Sequence, residues 1–456
     1  MSKDNTIIMT KGNPYKLMLR FALPLMLGNV FQQMYTLVDT MVVGKGVGVD
    51  ALASVGAADW LNWMCFGMVG GLAQGFAIPV AQKFGAGHKN TLRKSIGNIF
   101  FVSAVCSLVM VILFQLLALP VLQMLKTPSQ ILPMALLYVR IFFGGLPIVM
   151  AYNVLAAVLR AMGDGKTPLY AMIVASLTNI GLDILFVMVF RFGIAGAAVA
   201  TLIAEVISAV YCYRALKRME GLKLCKTDFR PDRQSVIHLL KLSLPLAFQN
   251  AVICVGGMIV QFVVNGFGVL FIAGYTATNK LYGLLEMAAV SFGYAISTYV
   301  GQNVGAGEYK RLKSGHIAAL CISVATSFVI TAAMLVFGKL FIGMFLSGTP
   351  EEILTAGAVA WRYLLFMSLA LPALYLLYVF RSALQGMGNT VIPMISGILE
   401  FAMRTGMVLL LTRVVGSDGI FWAEISAWMG AAVLLCISYY TVMRKNQMKT
   451  EEVAEA

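Results

Sequence analysis

Asp39, Asp183 and Glu205 are acids set within apolar segments, and each has a polar companion at helical spacing. Gln32 precedes Asp39 by seven residues, Asn179 precedes Asp183 by four, and Thr201 precedes Glu205 by four. In a helix each pair shares one face. Three segments of the N-terminal half therefore each present oxygen ligands. Two carboxylates with amide and hydroxyl oxygens suit Na+, a hard cation that takes oxygen ligands. The same pair suits a proton, because burial and mutual repulsion both favour the protonated carboxyl. The plainer alternative is that hydrogen bonds satisfy each acid separately, and for Glu205 that alternative is preferred. Ionisable groups inside a membrane span are costly and mark ion or substrate pathways.

The C-terminal half carries a different set: Lys280 and Glu286, Glu400 and Arg404, and Glu424. Glu400 and Arg404 are four apart and are expected to form a structural ion pair. Glu286, flanked by Leu and Met, is expected to face a cavity and to meet substrate or a proton. Tyr35, Met34 and Asn153 are further cavity candidates, because ring and thioether surfaces adapt to flat, apolar cations.

Other motifs lead nowhere catalytic. Gly165-Lys166-Thr167 resembles the tail of a phosphate loop, but the glycine required five residues earlier is Arg160. The seven cysteines lack C-x-x-C spacing and predict no metal or disulfide framework. His88, His238 and His316 are all expected near the cytoplasmic surface, where they form no catalytic constellation, so no enzyme and no cofactor is predicted.

These groups must be held by membrane helices. The 456-residue chain is 60% hydrophobic and 12% charged, against roughly 25% charged in soluble proteins. Twelve spans are read at roughly 15–40, 51–80, 95–119, 132–159, 168–190, 194–216, 236–265, 271–300, 316–340, 353–384, 391–413 and 418–443, each at or above the ~20 residues that cross the hydrocarbon. With the N-terminus inside, 25 of the 34 Lys and Arg residues fall on the inner side and seven on the outer, while Lys280 and Arg404 stay within spans. That asymmetry predicts cytoplasmic termini and accounts for the net charge of +14 without nucleic acid. The five tryptophans fall in the outer parts of their helices, as an interfacial belt requires. The polar residues 1–16 do not resemble a cleavable signal.

The chain also repeats itself. Gln82-Lys83-Phe84-Gly85-Ala86-Gly87 returns as Gln302-Asn303-Val304-Gly305-Ala306-Gly307. Leu159-Arg160-Ala161-Met162-Gly163-Asp164 returns as Leu384-Gln385-Gly386-Met387-Gly388-Asn389, and Pro24 returns as Pro245. Offsets of 220, 225 and 221 residues mean duplication. Six spans per half return the chain to its starting side, so the repeats are parallel. The predicted organisation is an N-terminal bundle at 1–213, a basic cytoplasmic linker at 214–235 and a C-terminal bundle at 236–456.

The run Gln32…Tyr35…Asp39, the two Gly-Ala-Gly loops, the Met-Gly-Asp and Met-Gly-Asn turns and Asn179-x-x-x-Asp183 resemble the multidrug and toxic compound extrusion (MATE) family, over nearly the whole chain. The resemblance implies an all-α integral membrane fold, two six-helix bundles around a central cavity that opens alternately to each side. It implies a cation site, for Na+ or H+, at Asp39, Asn179, Asp183 and Thr201 with Gln32 close by. Tyr35 and Asn153 match positions associated with the drug cavity. Other branches carry an acid on the seventh span, which the run Gln261-Phe262-Val263-Val264-Asn265 lacks. The expected function is a cation-coupled antiporter that exports organic, often cationic, compounds from a monomer in the cytoplasmic membrane. The alternative is a flippase for lipid-linked oligosaccharides or lipids, which needs several basic residues in its cavity; only Lys280 and Arg404 lie deep in the expected spans. A major-facilitator transporter is disfavoured by the lack of an Asp-Arg motif between Gln82 and Lys94.

Overall fold

The computed structural model describes residues 5–219, 222, 224–346 and 348–455, with side chains for all of these except residues 49 and 446–455. Among the described residues there are helices and turns and no strand. The helices are α1 (Pro14–Gly46), α2 (Val49–Gly85), α3 (Lys89–Met124), α4 (Leu132–Gly144), α5 (Leu146–Ala161), α6 (Lys166–Asp183), α7 (Gly193–Arg218), α8 (Arg233–Asn265), α9 (Val269–Gly305), α10 (Tyr309–Gly343), α11 (Pro350–Gly386), α12 (Val391–Val415) and α13 (Asp418–Glu455). A π-helical turn, Ile184–Val189, continues α6.

The fourth expected span is broken. α4 and α5 meet at Gly144-Gly145 and bend by 50°. Two glycines resist helix continuation, and Pro147 is tolerated because it stands in the first turn of α5. Counting α4 and α5 as one span, ten of the described helices or helix pairs are long and apolar enough to cross a membrane. The other two, α1 and α9, are long enough but fall short in hydropathy, and they are the helices that carry Asp39 and Glu286. α2 and α9 each have 37 residues. At about 1.5 Å per residue they exceed the ~30 Å hydrocarbon core, so their ends project beyond it.

The chain divides into two compact units, one of Met1–Lys11 with Leu23–Ala251 and one of Gly12–Ala22 with Val252–Ala456. Each unit packs by the same scheme. In the first, α2 and α3 lie against α5, and α7 contacts both α5 and α6. In the second, α9 and α10 lie against α11, and α13 contacts both α11 and α12. Duplication is thus written in the packing as well as in the motifs. The helix at each centre is buried on every side: Val154–Leu159 are all buried in α5, where they are apolar, and so are Val379–Gly386 in α11, where Arg381, Ser382 and Gln385 are buried among apolar residues.

The repeated turns have matched geometry. Gly163 has φ +88° and Gly388 has φ +87°, a conformation that favours glycine. At Gly163 a Cβ would also meet the Ile7 carbonyl oxygen at 2.1 Å. The next residue caps the following helix. The Asp164 carboxylate accepts from the Thr167 N–H (2.9 Å), and the Asn389 side-chain oxygen accepts from the Ile392 N–H (3.2 Å). Gly165-Lys166-Thr167 is therefore a capped helix start.

The linker is shorter than 214–235 and partly tied down. α7 runs on to Arg218, whose charge with that of Lys217 suits the negative end of the helix dipole. A 3-10 turn, Lys226–Phe229, lies on α3, where Arg93 pairs with Asp228 at 3.0 Å. Gly97 permits this approach, since a Cβ there would meet the Asp228 carbonyl oxygen at 1.9 Å. Asp232 then caps α8 by accepting from the Ser235 N–H at 2.9 Å.

Candidate functional site

The N-terminal unit gathers its polar residues where α1, α6 and α7 meet. On α1, Thr36 and Thr40 donate to carbonyls one turn back, at 3.0 and 2.8 Å, and so place their own hydroxyls. The Tyr35 hydroxyl interacts with the side chains of Gln32 and Thr36 and with the charge of Glu205 on α7. The carboxyls of Asp39 and Asp183 interact directly. Asn179, one turn before Asp183, donates to Thr201 Oγ1 at 3.5 Å, and Thr201 donates to the Ala197 carbonyl at 3.1 Å.

Apolar packing sets this register. Val42, Val43, Ala51, Val187 and Ala197 form one buried cluster. It locks the C-terminal end of α1 against the π-helical turn and the start of α7. Asp39 sits one turn before Val43, and Asp183 one turn before Val187, so the cluster brings the two carboxyls together. Gly46 lies so close to the π-helical turn that a Cβ would meet Val187 Cγ1 at 2.8 Å. Asp183 is the last α-helical residue before that turn, and π-helical turns inside helices are frequent at functional sites.

Five buried oxygens here have no hydrogen-bond donor: Asp39 Oδ1, Asn179 Oδ1, both carboxyl oxygens of Asp183, and Glu205 Oε2. Asp183 has 0% exposure and Asn179 1%. An unsatisfied buried acceptor costs about 1–3 kcal/mol. A proton or a cation removes that cost. Among the described residues no donor meets either oxygen of Asp183, or one oxygen each of Asp39 and Glu205. Among the described residues there is no cluster of three or more His, Cys, Asp and Glu that could hold a metal ion. The donor set is two facing acids with neutral oxygens, which has the chemistry of a monovalent hard cation or a proton.

A small cavity adjoins these groups, lined by Tyr35, Met172, Ala175, Asn179, Thr201, Ala204, Glu205 and Ser208. Met172, Ala175, Ala204 and Ser208 were not expected. Their helical spacing on the faces of Asn179 and Thr201 was the available signal. Tyr138 of α4 is another addition, with its hydroxyl in the field of Asp39 and Asp183. Met34 is 57% exposed and does not line this cavity. The Asn153 amide is bonded to the Val149 carbonyl of its own helix at 2.9 Å.

In the C-terminal unit the expected Glu400–Arg404 pair is present at 3.1 Å and is part of a larger network. Arg381, counted above among the inner-side basic residues, lies buried within α11 and pairs with Glu400 at 2.8 Å. Glu424 pairs with Arg404 at 3.0 Å. Glu286 accepts a hydrogen bond from the Tyr378 hydroxyl at 2.5 Å. One expectation is corrected. Trp428 is no interfacial anchor: it is 1% exposed and stacks on Tyr282. His316 is buried, stacked on Tyr439 at 3.9 Å and tilted against Phe380 at 4.8 Å.

Two helical units of one packing scheme, with carboxyls buried inside membrane-length helices, define a multi-pass membrane transporter. The MatE family model matches residues 24–185 and again 245–410, beginning each time at the repeated proline, and the chain belongs to that family. It is a transporter and not an enzyme. It is 26% identical to the probable multidrug resistance protein YoeA of Bacillus subtilis (strain 168), over 98% of each chain. It is 29% identical to the probable multidrug resistance protein YpnP of the same organism, over 90% of this chain and 91% of that protein. The fold matches the crystal structure of MATE in complex with MaL6 with a TM-score of 0.90 at 21% identity, over 98% of this chain and 100% of that one.

Proposed function

We propose that this chain is a cation-coupled antiporter that exports organic, often cationic, compounds across the cytoplasmic membrane by alternating access. The observation that carries the reading is the facing pair Asp39 and Asp183 with its donor-less buried oxygens. Na+ or H+ is the coupling ion, held by Asp39, Asn179, Asp183 and Thr201 with Gln32 beside them. Its arrival neutralises the pair and favours one conformation over the other. Coupling requires that difference in affinity, since an ion bound equally in both states shifts nothing. Pro24 lies next to the boundary at which α1 passes from one compact unit to the other. It removes a helix hydrogen bond there and makes a bending point. Tyr35, Met34 and Asn153 contact substrate. The names of the Bacillus relatives support export of several drugs. The working form is a monomer with cytoplasmic termini.

The flippase alternative loses support from the ion network. Arg381 and Arg404, two buried basic groups of the C-terminal helices, are both paired with carboxylates, so neither is a free cation for a pyrophosphate. Efflux of ethidium from cells under separately imposed Na+ and pH gradients, with Asp183→Asn alongside, tests the proposal. Efflux that follows one gradient and disappears in the variant supports it. Efflux indifferent to both gradients rejects it.

A further inference from the structure

The break between α4 and α5 holds two glycines, and a neighbouring helix needs the space of only one of them. Pro147 has no N–H to offer the Phe143 carbonyl, so the helix does not run straight through. Gln115 of α3 holds the end of α4 by donating to the Arg140 carbonyl at 2.8 Å. A Cβ on Gly144 would have Gln115 Nε2 as its neighbour at 3.9 Å, an ordinary contact. A Cβ on Gly145 would meet three atoms of Leu202 on α7, Cδ2 at 2.1 Å, Cδ1 at 2.6 Å and Cγ at 2.8 Å. Gly145 itself has φ −83° and ψ 0°, angles open to any residue. Its missing side chain therefore makes room for Leu202 and is not demanded by its own backbone. Leu202 fills the break.

Leu202 stands next to Thr201, and the two residues face different helices. Thr201 meets Asn179 of α6. Leu202 meets the α4–α5 break and packs against the buried core of the unit. α7 is continuous over this stretch, so a shift that the break imposes on Leu202 is carried to the Thr201 hydroxyl. The break also governs Tyr138. Tyr138 of α4 and Gly145 at its end are seven residues apart and share a face. The Tyr138 hydroxyl lies in the field of Asp39 and Asp183. Leu202 thus joins, at one point, two groups that reach the acid pair from different helices. Beyond the break, α5 carries Asn153, one of the proposed substrate contacts.

We propose that Leu202, wedged at Gly145, is a positioning residue of the ion site. It fixes Thr201 against Asn179 and Tyr138 near the Asp39–Asp183 pair, so the angle between α4 and α5 sets how tightly the pair holds its ion. A movement of α5 at the substrate is in this way felt at the ion. Leu202 offers no ligand atom of its own. The inference rests on the antiporter reading and adds to it two residues, Gly145 and Leu202, that carry neither charge nor polar side chain.

Proteoliposomes of the full-length protein test it. Ethidium is the substrate, and the gradient that drives wild type, Na+ or H+, is varied to find the half-saturating ion concentration. Gly145→Ala puts a Cβ within 2.8 Å of three Leu202 atoms and forces Leu202 aside. Misplaced ligands should raise the half-saturating concentration at least about tenfold. KM for ethidium at saturating ion should stay within about twofold, because the substrate contacts are kept. Leu202→Ala cannot clash, should raise the ion requirement as well, and carries the test if Gly145→Ala fails to fold. Gly145→Ala combined with Leu202→Ala returns a methyl to the break. It should hold the ion better than either single change, the sign of a direct contact. Gly144→Ala adds the same methyl without a clash and should stay within about twofold of wild type. An unchanged ion requirement in both single variants, single losses that merely add in the combined one, or an equal loss in Gly144→Ala would overturn the proposal and leave the Asp39–Asp183 site standing. Wild-type efflux indifferent to both gradients would overturn the antiporter reading and this inference with it.

Discussion

The carboxyl of Asp39 faces that of Asp183, 144 positions along the chain, and both oxygens of Asp183 are buried without a donor. Two acids in that relationship do not both remain charged without a cation, because their repulsion adds to the cost of burial. Asp183→Asn gives Asp39 an amide donor and removes one charge. The variant is expected to fold with a thermal midpoint no lower than wild type. Gradient-driven efflux of ethidium should fall at least about tenfold, the loss of one strong charge interaction. Wild-type efflux in a variant of normal stability would remove the pair from the mechanism.

Thr201 offers a way to tell the two proposed coupling ions apart. A proton needs only the carboxyls, whereas Na+ also needs neutral oxygens. Thr201→Val keeps the shape and deletes the oxygen that accepts from Asn179. Efflux driven by a Na+ gradient should drop about tenfold, a change of ~1.4 kcal/mol in ion binding. Efflux driven by a pH gradient should stay within about twofold of wild type, since it loses no carboxyl. Proteoliposomes with each gradient imposed alone give the comparison.

Glu400 is the structural counterpart of Glu286. It bridges Arg381 and Arg404 in a buried setting. Glu400→Gln leaves one positive charge in excess, and breaking a buried pair in this way costs about 3–5 kcal/mol. Thermal unfolding in detergent should show a clearly lowered midpoint for Glu400→Gln and little change for Glu286→Gln. Equal destabilisation of the two would assign Glu286 to the structural network.

The linker should release in acid. Burial pushes the Asp228 carboxyl up, but the hydrogen bond from the Cys225 N–H and the Arg93 guanidinium outweigh it and hold the group below the usual carboxylate range. A carboxyl depressed in the folded state stabilises it above the unfolded pKa of ~3.9 and loses that effect as pH falls through the folded value. Hydrogen exchange over residues 224–232 should therefore stay protected from neutral pH down to about pH 4 and open below it. Asp228→Asn should remove the protection at neutral pH, and a protected variant would show that the turn is held by packing alone.

The sequence by itself determined the duplicated plan. Motif offsets of 220, 225 and 221 residues, apolar run lengths and the Lys and Arg asymmetry are one-dimensional signals, and none depends on which helix touches which. Helical spacing also sufficed to pair Asn179 with Asp183 and Glu400 with Arg404, since four residues make about one turn. Only the tertiary structure decided the rest. The meeting of Asp39 with Asp183 depends on a valine and alanine cluster that joins α1, the π-helical turn and α7. The break at Gly144-Gly145 was hidden inside a run apolar enough to pass as one helix. Arg381 reads as an inner-side charge because it lies only five residues from the end of α11, yet packing turns it inward to Glu400. Periodicity tells which residues share a face of a helix. It does not tell what that face meets, and the meeting of faces is where these buried charges find their partners or are left without one.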